Sequence, residues 1–446
     1  MLIECSVENF RSFRDRAVFS MVAANIASQP RTLDEQNVFT IHDDLGLLTS
    51  AAIYGANASG KSNLITALRF MRMFVLTSSR ETQVGDVIPV EPFLLNPQTA
   101  ESPSRFEVVF YAGGEQYRYG FAVTQESVAE EWLYRLGSQR EIRLFTREEQ
   151  AIHVNTRSFR EGQRLELFTR ENALFLSVAA QFNGETARAI LNWFRQLSVN
   201  AGVSDTSDMV EALTHFDNSP YQAAIEELIH RFDVGINQLF LETGPVVLPA
   251  NAPPEIIKQF KAMHDAISDT NVTLEQVNVK TIHQQYDIDG QPLGEVTFDM
   301  DQHESAGTQR LFALAYPLVR ALAEGLVIVI DEMDARIHPN LVVELVRLFN
   351  SPETNPRHAQ LIFTTHNTNL LNAGLFRRDQ IWFVEKSRQG VSDLYSLVEY
   401  RVDGKVVRND ASFEKDYVMG RYGAIPFLGD FTTVIGAVHA EAPTTR

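Results

Sequence analysis

Residues 51–62 read AAIYGANASGKS, and this stretch decides the fold. The apolar run 51–54 predicts a short buried strand that stops at Gly55. From residue 62 to 76, Leu64, Leu68, Met71 and Val75 recur at helical spacing. The order is therefore strand, glycine loop, helix. Residues 55–62 match G-x-x-x-x-G-K-[ST] at every position, in the context the motif requires. Glycines let backbone N–H groups close around a phosphate, and a helix N-terminus adds partial positive charge. Lys61 is expected at the β- and γ-phosphates, and Ser62 at Mg²⁺ through its hydroxyl. The alternative is a glycine-rich turn that merely links strand to helix.

A second stretch answers the first. Residues 326–332 read LVIVIDE, an apolar run suited to a central strand covered on both faces. Asp331 and Glu332 stand at its C-terminal end, where α/β folds place ligand sites. Asp331 is expected to hold Mg²⁺, and Glu332 to orient or deprotonate an attacking water. Around this strand the pattern predicts a helix over 308–323, a helix over 340–350 and strands over 360–364 and 380–384. Such alternation argues for a mostly parallel sheet with helices on its faces.

Further out the reading changes. Residues 2–10 predict a strand, followed by a basic turn with Arg11, Arg14 and Arg16 that reads equally as phosphate contacts or as a solvated turn. Residues 106–123 predict a β-hairpin about Gly113 and Gly114, with Phe106, Phe110, Tyr117, Tyr119 and Phe121 as sheet core. Strands are expected at 141–146 and 164–168. Residues 185–300 predict helices at 185–198, 221–232 and 254–268, and no sustained heptads.

Composition sets limits. The 446 residues carry a net charge of −18, most of it within residues 201–310, which argues against broad coating of nucleic acid. The only cysteine is Cys5, which excludes a disulfide scaffold or a zinc ribbon and suits a reducing, cytoplasmic setting. The longest apolar stretch, 312–330, is broken by Pro317, Arg320 and Glu324, so no membrane span is expected. The N-terminus lacks the apolar core of a signal peptide.

The spacing then brings a resemblance. Lys61 and Asp331 lie 270 residues apart, which is similar to the ABC-type heads of structural-maintenance-of-chromosomes (SMC) proteins and related repair ATPases, where an insertion splits two lobes. The resemblance implies an α/β fold: an ABC/SMC-type P-loop ATPase head with a mixed sheet, an N-terminal antiparallel β lobe and a largely helical insertion. It places an N-terminal lobe at 1–184, an acidic insertion at 185–300, a C-terminal lobe at 301–437 and a tail at 438–446. Residues 304–309 (ESAGTQ) match the ABC signature loop at Ser305 and Gly307, with Glu304 where that loop has leucine. Taken by themselves these residues are a serine/glycine helix cap. His366, ending LIFTTH, resembles the switch histidine that senses the γ-phosphate. Asp334 falls at the D-loop position, and Gln181 is the Q-loop candidate, able to touch Mg²⁺ or water.

A narrower resemblance covers most of the chain. VENFRSF, GANASGKSN, DEMDARIHP, TTHNTNLL and RYGAIPF resemble the AAA/OLD-like ATP-binding proteins of abortive-infection and other anti-phage operons. That implies ATP held by Gly55, Ala56, Asn57, Ala58, Ser59, Gly60, Lys61, Ser62 and Asn63, with Arg11 nearby. It also implies Mg²⁺ on Ser62, Asp331 and Gln181, with Glu332, His366 and Gln181 catalytic. The implied partners are a second copy, pairing head-to-tail in an even oligomer, a separate effector such as a nuclease, and a phage trigger. Two rival readings are a DNA-binding repair ATPase or end sensor, motivated by the basic turn, and the motor of a membrane transporter.

Overall fold

Two kinds of apolar pattern build two kinds of sheet. In the computed structural model, described for residues 1–41, 45–137, 140–202, 206–216, 219–232, 235–245, 275–402 and 404–426, apolar runs form the centre of a six-stranded sheet. Its order is Ser198–Asn200, Val327–Ile330, Gln360–Thr364, Ser50–Tyr54, Ile381–Lys386 and Ser392–Ser396. The first five strands are parallel and the last is antiparallel, so the sheet is mixed. Alternating patterns form a seven-stranded antiparallel lobe, from Ala151–Val154 through the hairpin Ser104–Ala112/Glu115–Val123 to Leu2–Glu8 and Ala17–Ser20. This is the α/β head with a β lobe that the sequence predicts.

The hairpin aromatics are core: Phe106, Phe110, Tyr117, Tyr119 and Phe121 are all buried. The two sheets share one hydrophobic core, and an amide ties them as well. Gln360 accepts the Leu2 N–H (2.6 Å) and donates to the carbonyls of Leu2 (3.0 Å) and Leu48 (3.2 Å). Cys5, in the first strand, is buried, and desolvation raises its thiol pKa well above the usual range.

The chain divides into two compact units. One comprises Met1–Gly202, Gly325–Asp334 and Val343–Arg446; the other comprises Val203–Glu324 and Ala335–Val342. The boundary expected at 184 thus falls later, because helix Glu185–Gln196 packs on the β lobe. Trp193 stacks on Phe110 with ring centroids 4.2 Å apart, and Phe194 meets Tyr119 edge-on.

Two further expectations are corrected. Residues 164–168 are not a strand: Leu165–Phe168 is a 3₁₀ turn entered through Arg164 at φ +69°. Leu165 is buried while Leu167 is 82% exposed, which no strand with a covered face permits. Nor is the insertion mainly helical among its described residues. Ile236–Pro245, Glu275–Tyr286 and Pro292–Asp299 form a three-stranded antiparallel sheet. Its central strand, EQVNVKTIHQQY, alternates polar with β-branched residues, so its apolar signal is weak. The helices Thr206–Phe216 and Gln222–Arg231 pack on Ala306–Glu324 through Phe216–Phe312 and His215–Tyr316. The helix expected at 254–268 and the tail at 438–446 lie outside the described residues. Among the described residues, no helix is long and apolar enough to cross a membrane.

Candidate nucleotide site

The strand Ser50–Tyr54 ends at the glycine loop, and Gly60 caps the helix Lys61–Thr77. The loop backbone cannot take side chains at its ends. A Cβ on Gly60, at φ +116°, would lie 2.4 Å from Ser392 Oγ and 2.7 Å from Ser12 Oγ. Ser12 and Ser392 hold the end of the loop and the helix start: Asn63 Nδ2 donates to Ser12 Oγ (2.7 Å), and Ser392 Oγ donates to the Ser59 carbonyl (2.5 Å). Lys61 folds back over the loop, donating to the carbonyls of Gly55 (2.8 Å) and Ala56 (3.2 Å). Burial lowers its pKa, against the pull of Asp331, Glu332 and Asp334. Asn57, Ala58 and Ser62 are exposed at the loop and helix start.

The acid pair belongs to the same unit. Two strands away from the loop strand, Val327–Ile330 delivers Asp331 and Glu332 into a turn stapled to the end of Gln360–Thr364. Thr364 Oγ1 donates to Asp331 Oδ1 (2.5 Å) and accepts the Glu332 N–H (2.7 Å). The Met333 N–H reaches the Thr364 carbonyl (3.1 Å), and the His366 N–H reaches the Asp334 carboxylate (3.2 Å). The Asp331 N–H is held by the Asn200 carbonyl (2.9 Å). Glu332 sits at φ +49°, a sparsely populated conformation for a non-glycine residue and one that its neighbours must enforce. Burial and then Lys61 lower the His366 pKa, opposed by the three acids, so its imidazole is neutral at pH 7.

Ser305 and Gly307 belong to the other unit. Ser305 caps helix Ala306–Glu324, its Oγ accepting the Thr308 N–H (3.1 Å). A Cβ on Gly307 would lie 2.6 Å from the Arg336 carbonyl, so this glycine admits the loop that follows the acid turn.

One site expectation is corrected. Gln181 ends the helix Phe175–Gln181, and its amide donates to the Ser79 carbonyl (3.1 Å). Ser79 lies beyond the C-terminal end of the phosphate-loop helix. Seventeen residues at 1.5 Å each put roughly 25 Å between that end and the loop, so Gln181 touches neither metal nor water there. Arg11 pairs with Glu91 (3.0 Å), and its neighbour Ser12 accepts from Asn63 in the first turn of the helix (2.7 Å). Thr364, Ser12, Ser392 and Asn200 escape sequence reading because only folding brings them to the loop or the acids. The RYGAIPF segment is described to Pro426. Tyr422 is buried, its carbonyl accepting from Tyr395 Oη (2.7 Å). Ala424 and Ile425 line a cavity of about 340 Å³ beside Ala56 and Ser59.

These residues fit a nucleoside triphosphate with Mg²⁺. Ser59 Oγ is buried at the loop without a hydrogen-bond partner, and a buried lysine feels the pull of three carboxylates. A glycine loop on a helix N-terminus, with a paired-acid turn two strands away, defines a P-loop ATPase. The profile of the family described as "AAA domain, putative AbiEii toxin, Type IV TA system" matches residues 50–372, and the chain belongs to that family. None of the curated proteins matches the chain by sequence. Among solved structures, the SMC head domain from Thermotoga maritima is similar at a TM-score of 0.38 and 15% identity, over 89% of this chain and 98% of that one.

Proposed function

We propose that the chain is a Mg²⁺-dependent ATPase that works as a head-to-tail pair and gates a separate effector, such as a nuclease, in cytoplasmic anti-phage defence. One observation carries the ATPase reading: Lys61, Asp331, Glu332, Asp334 and His366 share one site, locked by Thr364. The loop amides and Lys61 hold the phosphates. Ser62 and Asp331 are the groups that would hold Mg²⁺, which when bound neutralises charge on the β- and γ-oxygens. Glu332 takes the proton of the attacking water as the bond between the γ-phosphorus and its bridging oxygen breaks, giving ADP and phosphate. His366, neutral at pH 7, donates to the γ-phosphate. Ser305 of the second copy closes the site at its helix N-terminus, which suits an anion.

The test is Glu332→Gln. It should retain ATP binding while turnover falls by roughly 10²–10⁴-fold, the usual range for a lost general base. Unchanged turnover removes the assigned base.

The family's toxin–antitoxin description supports the defence role. The paired arginines favour it over DNA binding: Arg11 meets Glu91, Arg14 meets Asp15, and Arg16 meets Glu107. Co-expression with the protein encoded by the adjacent reading frame, followed by a phage challenge, tests the effector. Survival that is indifferent to Lys61→Ala would sink the defence role.

A further inference from the structure

The position before Ser305 is where the resembled signature carries leucine, and this chain has Glu304 there. Its side chain is 8% exposed. A carboxylate buried that far is costly unless donors meet it, and here two do. Thr281 Oγ1 donates to Glu304 Oε1 (2.6 Å), and His283 Nε2 pairs with the same oxygen (2.6 Å). Both come from the central strand of the insertion sheet, two residues apart and so on one face. Phe298 packs on the His283 ring at 4.9 Å. From the other side the amide of Gln309, in the first turn of the helix, donates to the carbonyls of Met300 (2.9 Å) and Asp301 (3.3 Å). The outer strand ends at Asp299, six residues before Ser305. The loop is thus clamped between sheet and helix, with Glu304 as the clamp's contact to the sheet.

We propose that Glu304 is a positioning residue: through Thr281 and His283 the insertion sheet sets the Ser305–Gly307 loop and so regulates turnover by the paired heads. The inference rests on reading Ser305 as the group that completes the partner copy's ATP site. Only turnover, and not first-copy ATP binding, should depend on it.

The experiment compares Glu304→Leu, Glu304→Gln, Thr281→Val and Ser305→Ala in the full chain. It measures kcat and KM at several protein concentrations, with binding of a fluorescent ATP analogue to dilute protein. Glu304→Leu removes both hydrogen bonds that tie the loop to the sheet and should lower kcat by about tenfold or more. Analogue affinity should hold within about twofold, since the loop amides and Lys61 that grip the phosphates are untouched. Glu304→Gln keeps an acceptor and should recover most of the rate. Thr281→Val is nearly isosteric, should lose an intermediate amount, and carries the test if Glu304→Leu does not fold. Parental kcat in both Glu304→Leu and Thr281→Val, with kcat lowered in Ser305→Ala, overturns the inference and leaves the head-to-tail ATPase standing. Parental kcat in Ser305→Ala overturns the head-to-tail reading and this inference with it.

Discussion

The six-stranded sheet and the insertion sheet face their surroundings in opposite ways. Every residue of Val327–Ile330, Gln360–Thr364 and Ser50–Tyr54 is buried. In Pro292–Asp299 none is, and the central strand beside it runs out past its pairing with Ile236 to an exposed tip at Tyr286 and Ile288. A strand covered on both faces has no freedom to shift, so the groups at its end stay where the turn puts them. A strand with no buried residue shifts at lower cost than one covered on both faces. Fixed geometry sits where the chemistry is assigned, and the exposed strand ends six residues before the Ser305–Gly307 loop.

Four substitutions sharpen or break that contrast. Lys61→Ala should have the largest effect, because it removes the cation at the phosphates: ATP turnover should fall to background in a phosphate-release assay. Residual turnover above a few per cent would mean the buried sheet is not the catalytic one. Thr364→Val should come next. It frees Asp331 and leaves the Glu332 N–H without its acceptor, and since a misplacement of about 1 Å can cost 10²-fold, kcat should drop by roughly 10–10²-fold. Thr364→Ser, which keeps the hydroxyl, should restore it; failure of that rescue would assign the effect to packing. Gly307→Ala should act more gently. The added methyl would lie 2.6 Å from the Arg336 carbonyl, a backbone atom, so the loop must shift, and kcat should fall several-fold, on the order of 1 kcal/mol. An effect as large as that of Lys61→Ala would show the insertion side to be as rigid as the core. Gln181→Ala should change turnover by less than about twofold, since its partner is the Ser79 carbonyl and an exposed hydrogen bond is worth little. A tenfold loss would restore it as a ligand of the reaction.

The same contrast explains what the sequence disclosed. The glycine loop, LVIVIDE and LIFTTH are contiguous, and each combines an unbroken apolar strand with its polar ending, so strand, loop and chemistry are legible together. The hairpin aromatics are legible because their alternation matches the pleat. Gln181 misleads because one glutamine after an apolar run carries no geometric content: the run proved to be a helix pinned at its start by buried Glu131, which accepts the Phe175 and Leu176 N–H groups. The insertion sheet is hard to read because its outer strand has no buried residue and its central strand buries only Val279 and Thr281 among polar neighbours, which dilutes the period-two signal. Glu304 reads in sequence as a departure from a motif, and only His283, 21 residues earlier, shows what the departure holds.

Cys5 has a practical consequence. It is the chain's only thiol, it lies inside the β lobe, and burial keeps it protonated across the working pH range. The native protein is thus nearly silent to maleimides and to oxidation. A cysteine placed beside Ser305, with another beside Asn57 in a second preparation, would be the sole reactive handle on each. Disulfide trapping between the two would then report which faces of two copies meet, without first engineering a cysteine-free background.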